Sequence, residues 1–120
     1  MNNPGASVSG TVWKGPPDSP VIKLFTKEDC SLCDKVKDTL AALKDEYPHT
    51  LAAVDITDEE HQNWYNKYKF DIPVLHIEGK YFAKHRLTEE EAMKGLEEAN
   101  TGAFLERQGE PDSSGVDFRD

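Results

Sequence analysis

The only two cysteines of the chain, Cys30 and Cys33, stand three positions apart with Ser31 and Leu32 between them. Thiols at that spacing can pack as small hydrophobes, supply half of a zinc site, or exchange a disulfide with a substrate. They are too close together to staple a small secreted domain, which needs bridges between distant segments. The pair therefore reads as a site. Such a pair becomes redox-active when its first cysteine stands at a helix N-terminus, because exposed N–H groups and the positive end of the helix dipole stabilise a thiolate there. Cys30 is then the nucleophile, and Cys33, one turn further in, is placed to attack a mixed disulfide on Cys30 and close the internal bridge. Lys27 adds a positive charge three residues upstream, opposed by Glu28 and Asp29. The zinc reading stays open here, with His49, His61, His76 and His85 as available partners.

The surrounding pattern supplies the position that thiol chemistry needs. Residues 21–25 are a short, mainly apolar run behind Pro20, as for a strand buried on both faces. Residues 26–29 make a loop, and Cys33, Val36, Leu40 and Leu43 recur at helical spacing until Tyr47-Pro48 stops the helix. Residues 50–56 read as a second strand, and strand, helix, strand within about 35 residues is a βαβ unit with parallel strands. Asp58, Glu59 and Glu60 open a further helix carrying Trp64, Tyr65 and Tyr68, whose shared face reads as core packing. Residues 73–77 and 81–83 flank Glu78-Gly79-Lys80 as an antiparallel hairpin, with His76 on the sheet face opposite to Leu75 and Ile77. Thr88 and Glu91 form a capping box for a last helix through Leu96, with a further turn toward Leu105. His85-Arg86, just before it, is a charged pair that can accept a carboxylate and otherwise faces solvent.

A chain of 120 residues supports one domain, expected over residues 21–98. Residues 1–20, rich in Gly, Pro, Ser and Asn, read as a disordered leader whose one sticky residue is Trp13, and residues 99–120 as a flexible acidic tail. The formal charge of −9, from 14 basic and 23 acidic residues spread along the chain, argues against nucleic acid and anionic membrane as partners. No apolar run is long enough to cross a bilayer, and the N-terminal stretch lacks a basic start and an apolar h-region. A monomer in the cytoplasm is expected, with a mitochondrial or other organellar address left open.

Phe25-Thr26-Lys27, Cys30-Ser31-Leu32-Cys33, Asp71-Ile72-Pro73-Val74 and Gly79 together resemble the glutaredoxin family, in particular its small glutaredoxin-like branch, over about residues 21–96. The resemblance implies an α/β, thioredoxin-like fold: a four-stranded mixed sheet flanked by helices, in the order β-α-β-α-β-β-α. It implies a thiol-disulfide oxidoreductase that uses Cys30 and Cys33 on glutathione or protein disulfides, with glutathione as cosubstrate and no bound cofactor or metal. It also implies a cis peptide bond at Pro73 beside the dithiol. Ile72 would offer backbone hydrogen bonds to an extended substrate or to the cysteinyl part of glutathione, and Lys27 would bind the glycine carboxylate. The chain departs from the family at Ser31, where Pro is usual, and at Leu32, where an aromatic is usual. It departs again at Ala83-Lys84-His85-Arg86-Leu87, which replaces the paired glycines and acidic residue that receive the γ-glutamyl end. Thioredoxin proper is less similar, since Asp29 stands where it carries Trp. Two alternatives accompany the resemblance: an iron-sulfur or zinc-binding member, because Ser at this place occurs in cluster-bridging glutaredoxins, and a catalytically weak binding module using the proline groove.

Overall fold

The computed structural model describes residues 7–115, so residues 1–6 of the expected leader and 116–120 of the expected tail lie outside it. In chain order the elements are β1 (Gly10–Trp13), β2 (Val21–Thr26), α1 (Ser31–Leu43), β3 (Thr50–Asp55), a 3₁₀ turn (Glu59–His61), α2 (Gln62–Tyr68), β4 (Val74–Ile77), β5 (Lys80–Lys84) and α3 (Glu89–Asn100).

The two-residue period of a strand sorts side chains between two layers. Ile22, Leu24, Leu51, Leu75 and Ile77 meet Val36, Leu40, Ala92 and Leu96 under α1 and α3. On the other face Phe25, Ile56, Val74 and Tyr81 gather around Tyr68 of α2. Lys23 stays exposed, so β2 is not buried on both faces along its whole length; the aromatic layer on the second face meets β2 at Phe25. The crossover through α1 makes β2 and β3 parallel, with Phe25 opposite Val54. β4 pairs antiparallel with β2 and β5 with β4, and Glu78 and Gly79 form the hairpin turn at φ 50° and 79°, both left-handed as a type I′ turn requires. The capping box is present: the Thr88 hydroxyl accepts the Glu91 N–H at 3.1 Å and the Glu91 carboxylate accepts the Thr88 N–H at 2.9 Å. The acidic opening expected of the middle helix is instead the tighter 3₁₀ turn, with α2 beginning only at Gln62.

The sheet has five strands where four were expected, in the order β1-β3-β2-β4-β5. The added strand comes from the stretch read as leader. Its side chains are largely exposed, and what holds it is main-chain pairing with the open edge of β3, Gly10 opposite Ala53 and Thr11 opposite Ala52. Just before it, the Asp55 carboxylate accepts the Val8 N–H at 3.0 Å and the Ser9 hydroxyl accepts the Asp55 N–H at 2.7 Å. The stretch read as tail is anchored too. Phe104 is buried edge-on against Phe82, Arg107 donates its N–H to the Tyr81 carbonyl, and Ser113 donates its N–H to the Lys67 carbonyl. The segment thus wraps the outer edge of β5, from the α3 face to the α2 face. Among the described residues, no helix is long and apolar enough to cross a membrane.

Candidate functional site

Asp29 takes φ 62°, a left-handed conformation that Asp tolerates better than most residues, and this turns the chain from the end of β2 into α1. Cys30 follows as the extended N-cap of the helix, and its Sγ accepts the Cys33 N–H at 3.2 Å. A sulfur that receives a helix N–H in this way is better off as a thiolate than a free thiol is. The two sulfurs are joined in a disulfide, with the Cα atoms 5.2 Å apart, an ordinary separation for a bridge. Cys30 is half-buried and Cys33 almost fully buried, at 1% exposure. Cys30 is thus the sulfur that solvent can reach, and Cys33 lies behind it.

Strand register brings the other expected residues to the same end of the sheet. Val54, Phe25, Val74 and Lys84 form one row across β3, β2, β4 and β5. Lys27 lies two residues beyond that row, just past the end of β2, Ile72 two residues before it, ahead of the antiparallel β4, and Arg86 two residues beyond it after β5. Neighbouring strands are about 4.8 Å apart, so these positions share one rim with the loop to Cys30. The Ile72–Pro73 peptide bond is cis. The Pro73 carbonyl accepts the His85 N–H at 2.7 Å, whereas no hydrogen bond among the described residues uses the N–H or carbonyl of Ile72. Lys27 is exposed, and its ammonium has no ion-pair partner among the described residues.

One feature of this rim has no signature in the sequence pattern. The Asp71 carboxylate accepts Nε2–H of His85 at 3.0 Å and lies 4.0 Å from the Lys84 ammonium. His85 adopts φ 69°, a region that costs any residue with a Cβ, in the stretch that replaces the family's paired glycines. Through its own N–H on Pro73 and its ring on Asp71, His85 grips both sides of Ile72. Of the pair expected to accept a carboxylate, His85 is thus engaged by Asp71, and Arg86 is exposed without an ion-pair partner among the described residues.

The other histidines are dispersed. Nδ1 of His49 bonds the Tyr47 carbonyl, Nδ1 of His61 the Asp55 carbonyl, and Nε2 of His76 the Tyr68 hydroxyl at 2.8 Å. Among the described residues no three His, Cys, Asp or Glu side chains gather as a metal site. His76 lies on the face opposite to Leu75 and Ile77, as its position predicts, 4.6 Å from the Phe25 ring. Trp64 stacks on Tyr68 and tilts against Phe25, so this aromatic face is packing, as expected.

The parallel β2–α1–β3 crossover, the antiparallel β4–β5 hairpin and the helix that follows are those of a thioredoxin-like fold, and the Cys30–Cys33 pair makes this a redox-type protein of that class. Within the class, residues 21–97 match the glutaredoxin-like domain family (DUF836), and the chain belongs to that family. A glutaredoxin-like protein of Dictyostelium discoideum, described as the YDR286C homolog, is 34% identical over 80 residues, which are 63% of this chain and 74% of that protein.

Proposed function

We propose that this protein is a thiol-disulfide oxidoreductase. The observation that carries the reading is the asymmetry of its dithiol: Cys30 caps α1 and takes a helix N–H on its sulfur, while Cys33 is buried behind it. In the reduced chain the Cys30 thiolate attacks a substrate disulfide; one substrate thiolate leaves and the other sulfur stays on Cys30 as a mixed disulfide. Cys33 then attacks the Cys30 sulfur, the second substrate thiolate leaves, and the two electrons given up by the dithiol are those gained by the substrate. Two glutathione molecules, or one external dithiol, reduce the resulting bridge. The substrates are glutathione mixed disulfides or protein disulfides. Lys27 supplies an ammonium for a substrate carboxylate, and the backbone groups of Ile72, which no hydrogen bond among the described residues uses, pair with an extended substrate. The protein works as a monomer in a reducing compartment, the cytosol.

One observation favours a second reading, a binding module with a slow dithiol. Residues 83–87, which stand where glutaredoxins receive the γ-glutamyl end, contain neither glycine nor an acidic residue, and His85 among them is held by Asp71. The two readings separate in a coupled assay in which glutathione and glutathione reductase turn over a glutathione mixed disulfide. An oxidoreductase gives turnover that Cys30→Ser abolishes and Cys33→Ser retains, because glutathione can replace the resolving thiol. A wild-type chain that gives none here, and none with a protein disulfide and an external dithiol, belongs to the second reading.

A further inference from the structure

At the end of the sheet away from the dithiol, three segments line an open cavity of about 530 Å³: residues 16–19 between β1 and β2, residues 46–48 between α1 and β3, and the last turn of α3 at Leu96, Glu97 and Asn100. Small-molecule sites span about 300–1,000 Å³. The walls are stiff. Pro16, Pro17 and Pro48 fix their own φ, and the Pro16 carbonyl accepts both the N–H and the hydroxyl of Ser19, at 3.0 and 2.7 Å. Thr50 ties down both ends of the β1–β2 connection: its Oγ1 accepts the Gly15 N–H and its N–H donates to the Pro20 carbonyl, each at 2.9 Å. The floor is apolar, because Leu96 and the Tyr47 ring belong to the core between α1, α3 and the sheet.

Charge around this cavity has one sign. Asp18, Glu46 and Glu97 are exposed at its mouth, and none has an ion-pair partner among the described residues. α1 and α3 both end here with no basic residue in the last turn, so the negative ends of two helix dipoles add to three carboxylates. Two lysines on the adjoining segments are placed at the neighbouring cleft: the Lys44 ammonium sits 5.1 Å above the Trp13 ring, and Lys14 lines the same cleft. Tyr47 registers the field, since burial and then the charges of Glu97 and Glu46 push its hydroxyl above its ordinary pKa. An apolar, rigid cavity with carboxylates at its mouth and no internal counter-charge is complementary to a cation with an apolar body.

We propose that this cavity binds a small organic cation, an ammonium or guanidinium on an apolar body, with Tyr47 and Leu96 against the body and Asp18, Glu46 and Glu97 around the charge. The site is separate from the redox centre. It opens at the N-terminal ends of β2 and β3, whereas Cys30 follows the C-terminal end of β2, so the six residues of that strand put about 20 Å between them.

The test is to titrate the full-length reduced chain with tyramine, 4-hydroxyphenylacetate and ethanolamine while following backbone amide shifts. Tyramine is expected to give saturable shifts confined to residues 16–19, 46–48 and 96–100, and its carboxylate counterpart none. Ethanolamine, which has the charge without the body, is expected to bind at least about tenfold more weakly. The double variant Glu46→Gln/Glu97→Gln is expected to weaken tyramine about tenfold, with shifts elsewhere unchanged to show that the fold is kept. The proposal is overturned if tyramine has no effect, if it acts outside these segments, if the carboxylate binds equally, or if the double variant binds as wild type does. A lysine-rich peptide that binds a chain indifferent to tyramine also overturns it, and assigns the face to a protein partner.

Discussion

At the scale of single residues, Cys30 and Cys33 have the same side chain and different surroundings, and in the proposed mechanism that difference divides the chemistry between them. The helix N–H on the Cys30 sulfur predicts a thiolate pKa for the reduced chain below the roughly 8.5 of free cysteine, and a higher one for buried Cys33. Alkylation rates measured against pH on Cys33→Ser and Cys30→Ser should show this order. His85 is the second residue whose surroundings matter. His85→Gly keeps the left-handed backbone and loses the anchor on Asp71, His85→Asn tolerates the backbone and keeps a donor, and His85→Ala loses both. Losing the anchor frees Ile72. KM for a mixed disulfide should therefore rise about fivefold in the Gly and Ala variants, the equivalent of one hydrogen bond of about 1 kcal/mol, with kcat little changed and Asn close to wild type. The dithiol was legible because its chemistry depends on residue type and local spacing. The grip of His85 on Asp71 was not, because it joins residues 14 apart through a loop and a hairpin and leaves no periodic trace.

At the scale of elements, the fold rests on contacts that local patterns show unevenly. α1, β2 and the β4–β5 hairpin were readable from apolar period and turn residues. β1 was not, since its stability lies in main-chain pairing with β3 and its residues lie among Gly, Pro and Ser. The segment after α3 was hidden for the same reason: few residues anchor it, chiefly Phe104, Arg107 and Glu110, and composition averages over them. Glu110 accepts the Tyr68 hydroxyl at 2.6 Å and pairs with the Lys67 ammonium at 2.8 Å. Burial pushes its carboxyl up, but Lys67 and Tyr68 outweigh that and hold it below the ordinary value. On the other side of Tyr68, burial itself lowers the pKa of His76. Both pKa values are lower in the folded chain than in the unfolded one, so both contributions are complete at neutral pH and fade in acid. The melting temperature should begin to fall below about pH 6.5, as His76 protonates in the unfolded chain, and fall faster in the carboxylate range. Glu110→Gln should flatten the second part of that profile. Tyr68→Phe, which strips a partner from both neighbours, should cost about 1–3 kcal/mol in denaturant unfolding. In α3, a Cβ on Gly95 would come within 2.7 Å of the Phe82 ring. Gly95→Ala should therefore destabilise by about 1–3 kcal/mol despite a helix-propensity gain of about 1 kcal/mol, again read in denaturant.

At the scale of the whole molecule, the two ends of one sheet carry different surfaces. One end gathers the dithiol, the cis-proline loop and Lys27; the other gathers carboxylates that have no ion-pair partner among the described residues around an apolar cavity. The formal charge of −9 makes the molecule acidic as a whole, while Lys27 and Arg86 at the dithiol end have no ion-pair partner among the described residues. In the proposed mechanism Cys30 is the attacking sulfur and Cys33 the resolving one. The most direct test of these roles is the intact mass of each single variant after reduction and brief exposure to oxidised glutathione at neutral pH. Cys33→Ser should gain one glutathione, held on Cys30 for want of the thiol that would release it, while Cys30→Ser stays largely unmodified over the same interval. Adducts forming at equal rates on the two variants, or on Cys30→Ser alone, would contradict the assignment of roles.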